Sequence, residues 1–183
     1  MISTLFSFSQ NPVPGYMISA YGDTAKGFLK LNYIVTNHEL VFNSDSYIEF
    51  YDSAGQMLNS KNNTWKGFGI FTNNGSHHFV KIITEGLFGK INLFVERVLL
   101  GKISVFKRFY YSATPNSSLI KYEYYLQKNS GVYYLFKFEL LSNRKIILKE
   151  LFSDCENIKK KVKADMDEKK TFNLILEYNN TCN

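Results

Sequence analysis

The chain has 183 residues, enough for one domain with its own hydrophobic core. Hydrophobic residues make up 45% of it and charged residues 21%, which excludes a disordered chain. The sequence contains no run of about 18 apolar residues, so no transmembrane helix is predicted. The net charge of +6 is mild, and the aromatic share of 16% favours β structure, because tyrosine and phenylalanine suit half-buried pleated surfaces.

Residues 1–10 form an apolar segment, rich in small residues, that turns polar at Gln10. This composition is typical of the end of a signal peptide whose basic start is missing. We therefore predict a signal-peptide remnant here, with an ordinary first strand or a frayed terminus as the alternative. Residues 11–183 are predicted to form a single domain.

Short strands joined by turns are predicted through the N-terminal part of the chain. Residues 16–21 and 27–33 form a predicted hairpin around a Gly-Asp turn, because glycine accepts a positive φ and aspartate bonds to its own backbone. A strand over 65–71 contains Gly67 and Gly69, and an interior glycine often marks a bulge or a close approach of backbones. Further short strands are predicted at residues 40–42, 47–51 and 56–59.

The middle of the chain is predicted to be an antiparallel meander, because alternating apolar segments are separated by short loops. Its strands are predicted at residues 77–84, 91–97, 103–111, 122–126 and 132–138. Aromatic residues fall on both faces of these strands, at 109–111, 122–125 and 133–134. That pattern favours a sheet covered on its second face, and an aromatic surface exposed to a partner or amphipathic ligand is the alternative.

The two-residue period gives way to a helical repeat in the last quarter of the chain. Residues 144–152 fit either a strand or a helix. Two later segments each begin with a capping box, Ser153-x-x-Glu156 and Asp165-x-x-Glu168, and the short link between them predicts an antiparallel helical hairpin. The predicted buried stripes are Cys155, Ile158 and Val162 on the first helix and Phe172, Ile175, Leu176 and Asn179 on the second.

The two cysteines fall at matching ends of this predicted hairpin. Cys155 lies at the start of the first helix and Cys182 just past the end of the second, and an antiparallel hairpin places those ends side by side. A disulfide there would close about 28 residues and contribute roughly 3.5 kcal/mol by loop entropy. Two unlinked thiols are the alternative.

Six lysines cluster near the C-terminus, at positions 159, 160, 161, 163, 169 and 170. The cluster favours a solvated helix face, with a docking patch for an anionic surface as the alternative. It contains no aromatic residue on which a base would stack, so nucleic acid is not a favoured partner.

Residues that carry chemistry are scarce. His77 and His78 point to opposite faces if they lie on a strand, which disfavours a shared metal, and the only other histidine is His38. The chain has no nucleophile elbow, P-loop or dinucleotide fingerprint, so no catalytic residue, metal or cofactor is predicted. The carboxylates are scattered and nothing selects a catalytic pair among Glu39, Glu49, Asp52, Glu85, Glu96, Glu123 and Glu139.

Several short motifs occur together: Gly15 at a strand start, Gly22-Asp23-Thr24-x-x-Gly27, Gly89-Lys90-Ile91-x-Leu93-Phe94, Asp154-Cys155, and Tyr178-Asn179 before Cys182. As a set they resemble a family of exported, β-rich proteins of Bacteroidetes-type bacteria with a short helical C-terminus. The resemblance implies export to the periplasm or beyond, and paired cysteines. It implies no activity and no binding residues.

The sequence thus predicts a mainly β fold, at the margin of α+β. Residues 11–143 form an antiparallel meander, as a sandwich or partly closed barrel, and 144–183 a helical segment. The favoured function is an extracytoplasmic, non-catalytic domain that binds a protein or cell-surface partner. A barrel-shaped carrier of a small apolar ligand and a hydrolase with a carboxylate pair assembled by the fold are the alternatives.

Overall fold

A computed structural model describes residues 11–31, 33–36, 39–42, 48–58, 65–73, 75–86, 89–114, 117–138 and 141–182. The predicted signal-peptide remnant at residues 1–10 lies outside the described residues, as do His38 and Glu139.

Strands dominate the described residues, and most of them are short and joined by tight turns. At the first turn Gly22 has the predicted positive φ, at +97°, and the Asp23 carboxylate lies 3.5 Å from the Ser19 hydroxyl. In chain order the strands are β1 (Val13–Ser19), β2 (Thr24–Lys30), β3 (Tyr33–Thr36), β4 (Glu39–Phe42), β5 (Glu49–Asp52), β6 (Met57–Leu58), β7 (Trp65–Thr72), β8 (Gly75–Gly86), β9 (Gly89–Leu99), β10 (Ile103–Thr114), β11 (Ser117–Lys128) and β12 (Tyr133–Phe136).

Ten of these strands form one open antiparallel sheet in the order β12-β11-β10-β9-β8-β7-β1-β2-β5-β6, and β3 pairs with β4 separately. The run from β7 to β12 is a meander in which each strand pairs with the next along the chain. The β1–β2 hairpin joins the sheet through the pairing of β1 with β7. The predicted mainly β, antiparallel architecture is therefore confirmed, and the sheet does not close on itself.

Three helices follow the sheet: α1 (Leu141–Leu151), α2 (Glu156–Lys159) and α3 (Glu168–Thr181). The ambiguous segment at 144–152 is therefore helical, and the helical region begins at Leu141. Both predicted capping boxes are wrong by two residues. Cys155 precedes α2 and makes no side-chain cap, whereas Asp167 caps α3 by accepting the Lys170 amide at 2.8 Å.

The chain divides into two compact units. Unit 1 comprises Met1–Arg97 and Arg108–Tyr122, and unit 2 comprises Val98–Lys107 and Glu123–Asn183. Unit 1 has a core of apolar side chains that alternate in and beside β2, β5 and β7, as strands with one buried face require. This core contains Met17, Leu29, Leu31, Ile48, Phe50, Phe68, Ile70, Phe79 and Phe94.

In unit 2 the helices cover one face of the strands, because their apolar stripes meet a row of inward side chains. The strand side of this core is formed by Ile103, Val105, Tyr124, Leu126 and Phe136. The helical side is formed by Leu148, Leu151, Phe152, Ile158, Val162, Met166, Leu174, Ile175, Tyr178 and Cys182. Leu176, predicted to be buried, is 41% exposed, and Leu174 lies on the buried stripe instead.

Candidate binding surface

The sheet of unit 1 presents two chemically different faces. Successive side chains of a strand point to opposite sides, so Met17 and Leu29 are buried in the core while their neighbours Tyr16 and Phe28 point the other way. The same alternation holds on β7, where Phe68 and Ile70 are fully buried and Phe71 is 44% exposed. On this outer face Phe28 and Phe71 are therefore exposed to solvent.

Aromatic and apolar side chains form a continuous row across this outer face. The strand register places Met57 opposite Tyr51, Tyr51 opposite Phe28, and Phe28 opposite Pro14. The Tyr16 and Phe71 rings extend the row, with centroids 6.0 Å apart. Adjacent strands are about 4.8 Å apart, so the row from β6 to β7 spans roughly 19 Å. We call this set the outer stripe: Pro14, Tyr16, Phe28, Tyr51, Met57 and Phe71.

The outer stripe is accessible, although its residues are of types that usually lie in a core. Phe28 is 42% exposed and Met57 is 53% exposed, whereas Phe50, next to Tyr51, is 1% exposed. Single exposed apolar residues are ordinary, but a contiguous row of them marks an interaction site.

A polar row lies beside the outer stripe and depends on one glycine. Tyr16 is opposite Gly69, and Gly69 is opposite His78. A Cβ atom on Gly69 would lie 2.3 Å from Tyr16 Cε1, so the tyrosine ring occupies the space that a side chain at 69 would fill. Across this gap Tyr16 Oη lies 2.5 Å from His78 Nδ1. Gly69 thus lets a tyrosine and a histidine two strands apart form a hydrogen bond.

Two cations, Lys26 and Arg97, lie beside these residues. Lys26 is opposite Tyr16 in the register, and Arg97 is near enough to His78 to affect its titration. In the part of the chain that the structure describes, neither side chain forms an ion pair. The outer face of unit 1 therefore combines exposed aromatic rings with uncompensated positive charge.

The environment of His78 favours the neutral imidazole. Burial lowers the pKa of His78 below 6.5, and the charge of Arg97 and the neighbouring His77 lower it further, while Glu96 opposes the shift. Neutral His78 can accept a hydrogen bond from the Tyr16 hydroxyl at Nδ1, and the proton of the imidazole ring is then on Nε2.

We expect the imidazole of His78 to titrate below pH 6.5, and its midpoint to rise when Arg97 is replaced by glutamine. Because the folded state resists protonation here, the contribution of His78 to stability is complete above pH 6.5 and is lost as the pH falls through the lower folded-state pKa. NMR titration of the imidazole resonances measures both midpoints. Lys66→Gln, which removes an exposed charge from β7, is the control and should leave the midpoint unchanged. A wild-type midpoint above 6.5 would contradict this assignment.

The two adjacent histidines have separate partners. His78 bonds to Tyr16 on the outer face, whereas His77 Nδ1 lies 2.7 Å from Glu96 Oε1. Adjacent strand residues point to opposite faces, so the pair does not converge on a common ligand. Among the described residues, no three histidine, cysteine or acidic side chains converge as metal ligands would.

Glu49 and Glu96, two of the scattered carboxylates of unit 1, are not brought together. Glu49 on β5 accepts the Tyr51 hydroxyl, Glu96 on β9 contacts His77, and the strands β2, β1, β7 and β8 lie between β5 and β9. In unit 2, a hydrogen bond from Lys128 lowers the pKa of the Asp154 carboxyl, and a hydrogen bond from Lys159 lowers the pKa of the Glu156 carboxyl. A hydrogen bond from the Lys170 backbone amide lowers the pKa of Asp167. A general acid needs the opposite shift.

The aromatic runs singled out in the sequence are mostly covered. Tyr124 and Tyr125 point to opposite faces and are only 1% and 3% exposed, and Phe109 is also buried. Tyr133 and Tyr134 are half-buried and Tyr122 is 49% exposed, so most members of these runs serve packing. The exposed aromatic row lies instead on the N-terminal strands, which sequence reasoning missed because it shows a strand's alternation but not which strands are neighbours.

Cys155 and Cys182 form a disulfide between the start of α2 and the end of α3, with Cα atoms 5.9 Å apart. A polar cluster lies beside it in unit 2. Lys128 Nζ donates to the Leu151 carbonyl at 2.7 Å and lies 2.8 Å from Asp154, which also accepts the Tyr178 hydroxyl. The disulfide and this cluster together hold the ends of all three helices.

The C-terminal lysine cluster has acidic partners of its own. Lys159 pairs with Glu156 at 2.7 Å, Lys161 pairs with Glu177, and Lys170 lies 3.5 Å from Asp167. These pairs are exposed and reduce the local net charge, as expected of a solvated helix face.

No model of a known protein family, no curated protein and no solved structure matches this chain. None of the described helices is long and apolar enough to cross a membrane.

Proposed function

We propose that this protein is a non-catalytic binding domain that docks a protein partner on the outer stripe. The observation that carries the proposal is the exposed row of aromatic and methionine side chains beside Lys26 and Arg97. The partner surface then has apolar side chains that cover the row and carboxylates that meet the two cations.

The composition of the outer face favours a protein over other ligands. Interface cores are enriched in aromatic residues, methionine and arginine, and these are the residue types found here. Tyrosine and phenylalanine also contribute large contact areas at low conformational cost, because each has only two side-chain torsions.

Charge argues against a second copy of this chain as the occupant. Two copies facing each other across the outer stripe would bring Lys26 and Arg97 of one against the same residues of the other. Like charges that face each other directly across an interface reduce the binding free energy by several kcal/mol, which is enough to disfavour one partner against another. A partner with carboxylates on its rim is therefore favoured over self-association.

The other two functional classes have less support. A carrier requires a closed barrel around an apolar cavity, and the ten-stranded sheet is open. A hydrolase requires two acids in one cleft, and four other strands lie between those of Glu49 and Glu96.

We also propose an extracytoplasmic location, in the periplasm or outside the cell. The Cys155–Cys182 disulfide supports it, because such bonds persist mainly in oxidising compartments. The resemblance to exported proteins of Bacteroidetes-type bacteria points the same way, and the apolar composition of residues 1–10 supports the proposal of a signal-peptide remnant. Free thiols at both positions in protein taken directly from the native cell would contradict it.

Photo-crosslinking tests the proposed docking surface. With benzoylphenylalanine in place of Phe71, we expect one discrete crosslinked partner in the native cell. The purified partner should bind the double variant Phe28→Ser/Phe71→Ser about 30-fold more weakly than it binds the wild type, because the variant lacks the side chains at the centre of the interface. Titration calorimetry measures both affinities.

Ile83 provides the matched control, because it is apolar, 58% exposed and in unit 1 but outside the outer stripe. The crosslinker at 83 should give no product with the same partner, and Ile83→Ser should bind it like wild type. Lys26→Glu should weaken binding and reduce its salt dependence. An affinity unchanged in the Phe28→Ser/Phe71→Ser variant would exclude the outer stripe as the docking surface.

A further inference from the structure

Unit 2 contains a groove of about 310 Å³ at the beginning of α1. Leu135 of β12 and the following Lys137 form one side, and Asn143, Arg144 and Ile147 of α1 form the other. Its volume is at the lower end of the range for small-molecule sites, which is about 300–1,000 Å³. None of these residues belongs to the outer stripe.

Arg144 is the unusual member of the groove, because it is only 6% exposed and has no acidic partner within the described residues. Its guanidinium donates to two neutral acceptors, the Met166 carbonyl at 2.8 Å and the Ala164 carbonyl at 3.1 Å. Nε has no hydrogen-bond partner. A guanidinium has five N–H donors, so most of the donors of this buried cation remain unused.

The rest of the groove is also favourable to an anion. The first turn of α1 contains no acidic residue, and the beginning of a helix carries partial positive charge. Lys137 adds an ammonium group, which lies 3.6 Å from Glu123 and is 38% exposed. Buried cations in proteins are normally paired with an anion. The guanidinium of Arg144 lies over the Phe138 ring, with Cζ 5.6 Å from the ring centroid, and among the described residues it has no anionic partner, so an anion in the groove would complete its pairing.

The remaining wall is aliphatic. Leu135 is 42% exposed, and Ile147 is partly buried against the core of unit 2. A ligand that fills the groove therefore needs an apolar stem as well as an anionic head. A planar carboxylate matches the fork of an arginine better than it matches a lysine.

We propose that this groove binds a carboxylate carried on a short apolar stem, with Arg144 as its principal anchor. Asn143 and Lys137 line the head end, and Leu135 and Ile147 contact the stem. A free short-chain carboxylic acid and the C-terminal carboxylate of a peptide share this chemistry.

The test is an NMR titration of the full chain with hexanoate, with acetyl-leucine as a mimic of a peptide C-terminus, and with hexanamide as the uncharged control. We expect shifts in the amides of 141–147 with at least one acid, at a Kd on the order of 1 mM, and none with hexanamide. The tighter of the two acids identifies the source of the carboxylate. No shift with either acid, or equal shifts with hexanamide, would overturn the proposal.

Two variants separate binding from folding. Leu135→Asp places a negative charge on an exposed wall of the groove and should weaken the acid about tenfold or more. Val132→Asp adds the same charge at a 68% exposed position that does not line the groove, and should bind like wild type. Arg144→Lys keeps the charge but removes the fork, and should also weaken binding about tenfold. Equal affinity of the two aspartate variants would overturn the assignment of the groove.

Discussion

Replacing Cys155 and Cys182 by serine is expected to lower the free energy of unfolding by about 3–4 kcal/mol. The bond joins residues 27 positions apart, so its loss releases the unfolded chain from a long loop. Chemical denaturation with and without reductant measures the effect. Reduced wild type should match the serine variant, and the variant should be insensitive to reductant. A variant that unfolds within about 0.5 kcal/mol of oxidised wild type would contradict the prediction.

The loss should be concentrated in unit 2, because the disulfide lies in that unit's core cluster. Cys182 is 6% exposed among the apolar residues of the helices, and Tyr178 beside it is 1% exposed. The neighbouring hydrogen bonds between Lys128 and Asp154 remain in the serine variant and limit the loss of stability. The Lys128 hydrogen bond lowers the pKa of Asp154, so this contribution is present above pH 3.8 and is lost on further acidification through the folded-state pKa. Hydrogen exchange resolved by unit checks where protection is lost.

Gly15→Ala is expected to destabilise unit 1 by about 3 kcal/mol, as overpacking of a filled core does. A Cβ atom at this position would lie 2.2 Å from the carbonyl oxygen of Gly69 and 2.4 Å from Leu29 Cδ1. The first of these is backbone of the neighbouring strand, so relief requires β1 and β7 to separate. Denaturation monitored by Trp65 fluorescence measures the change.

The same substitution should also disturb the outer face. Tyr16 follows Gly15 and lies over Gly69, so a displaced β1 alters the Tyr16–His78 hydrogen bond and the start of the outer stripe. Thr24→Ala, at an exposed position of β2, is the control and should change stability by less than about 0.5 kcal/mol. A Gly15→Ala protein as stable as wild type would show that the strands accommodate a side chain at this contact.

The interior glycines illustrate how far local sequence analysis extends. The sequence predicts a bulge or a close approach of backbones at Gly67 and Gly69, and the backbone approach is confirmed at Gly67 alone. At Gly67 an added Cβ would lie 2.5 Å from the Phe79 carbonyl oxygen, but at Gly69 it would meet the Tyr16 ring. The partner at each position depends on strand order, which these residues do not encode locally.

The sequence by itself determined the class of the fold, the antiparallel meander and the position of the helical segment. These features follow from side-chain periodicity and turn residues, which act over a few positions and are visible in the chain. Only the tertiary structure decided that Met57, Tyr51, Phe28 and Pro14 form one row, and that Arg144 is buried with no acidic partner among the residues the structure describes. Both depend on pairing and burial between segments far apart in the chain, where the free energy of the whole fold selects the neighbours.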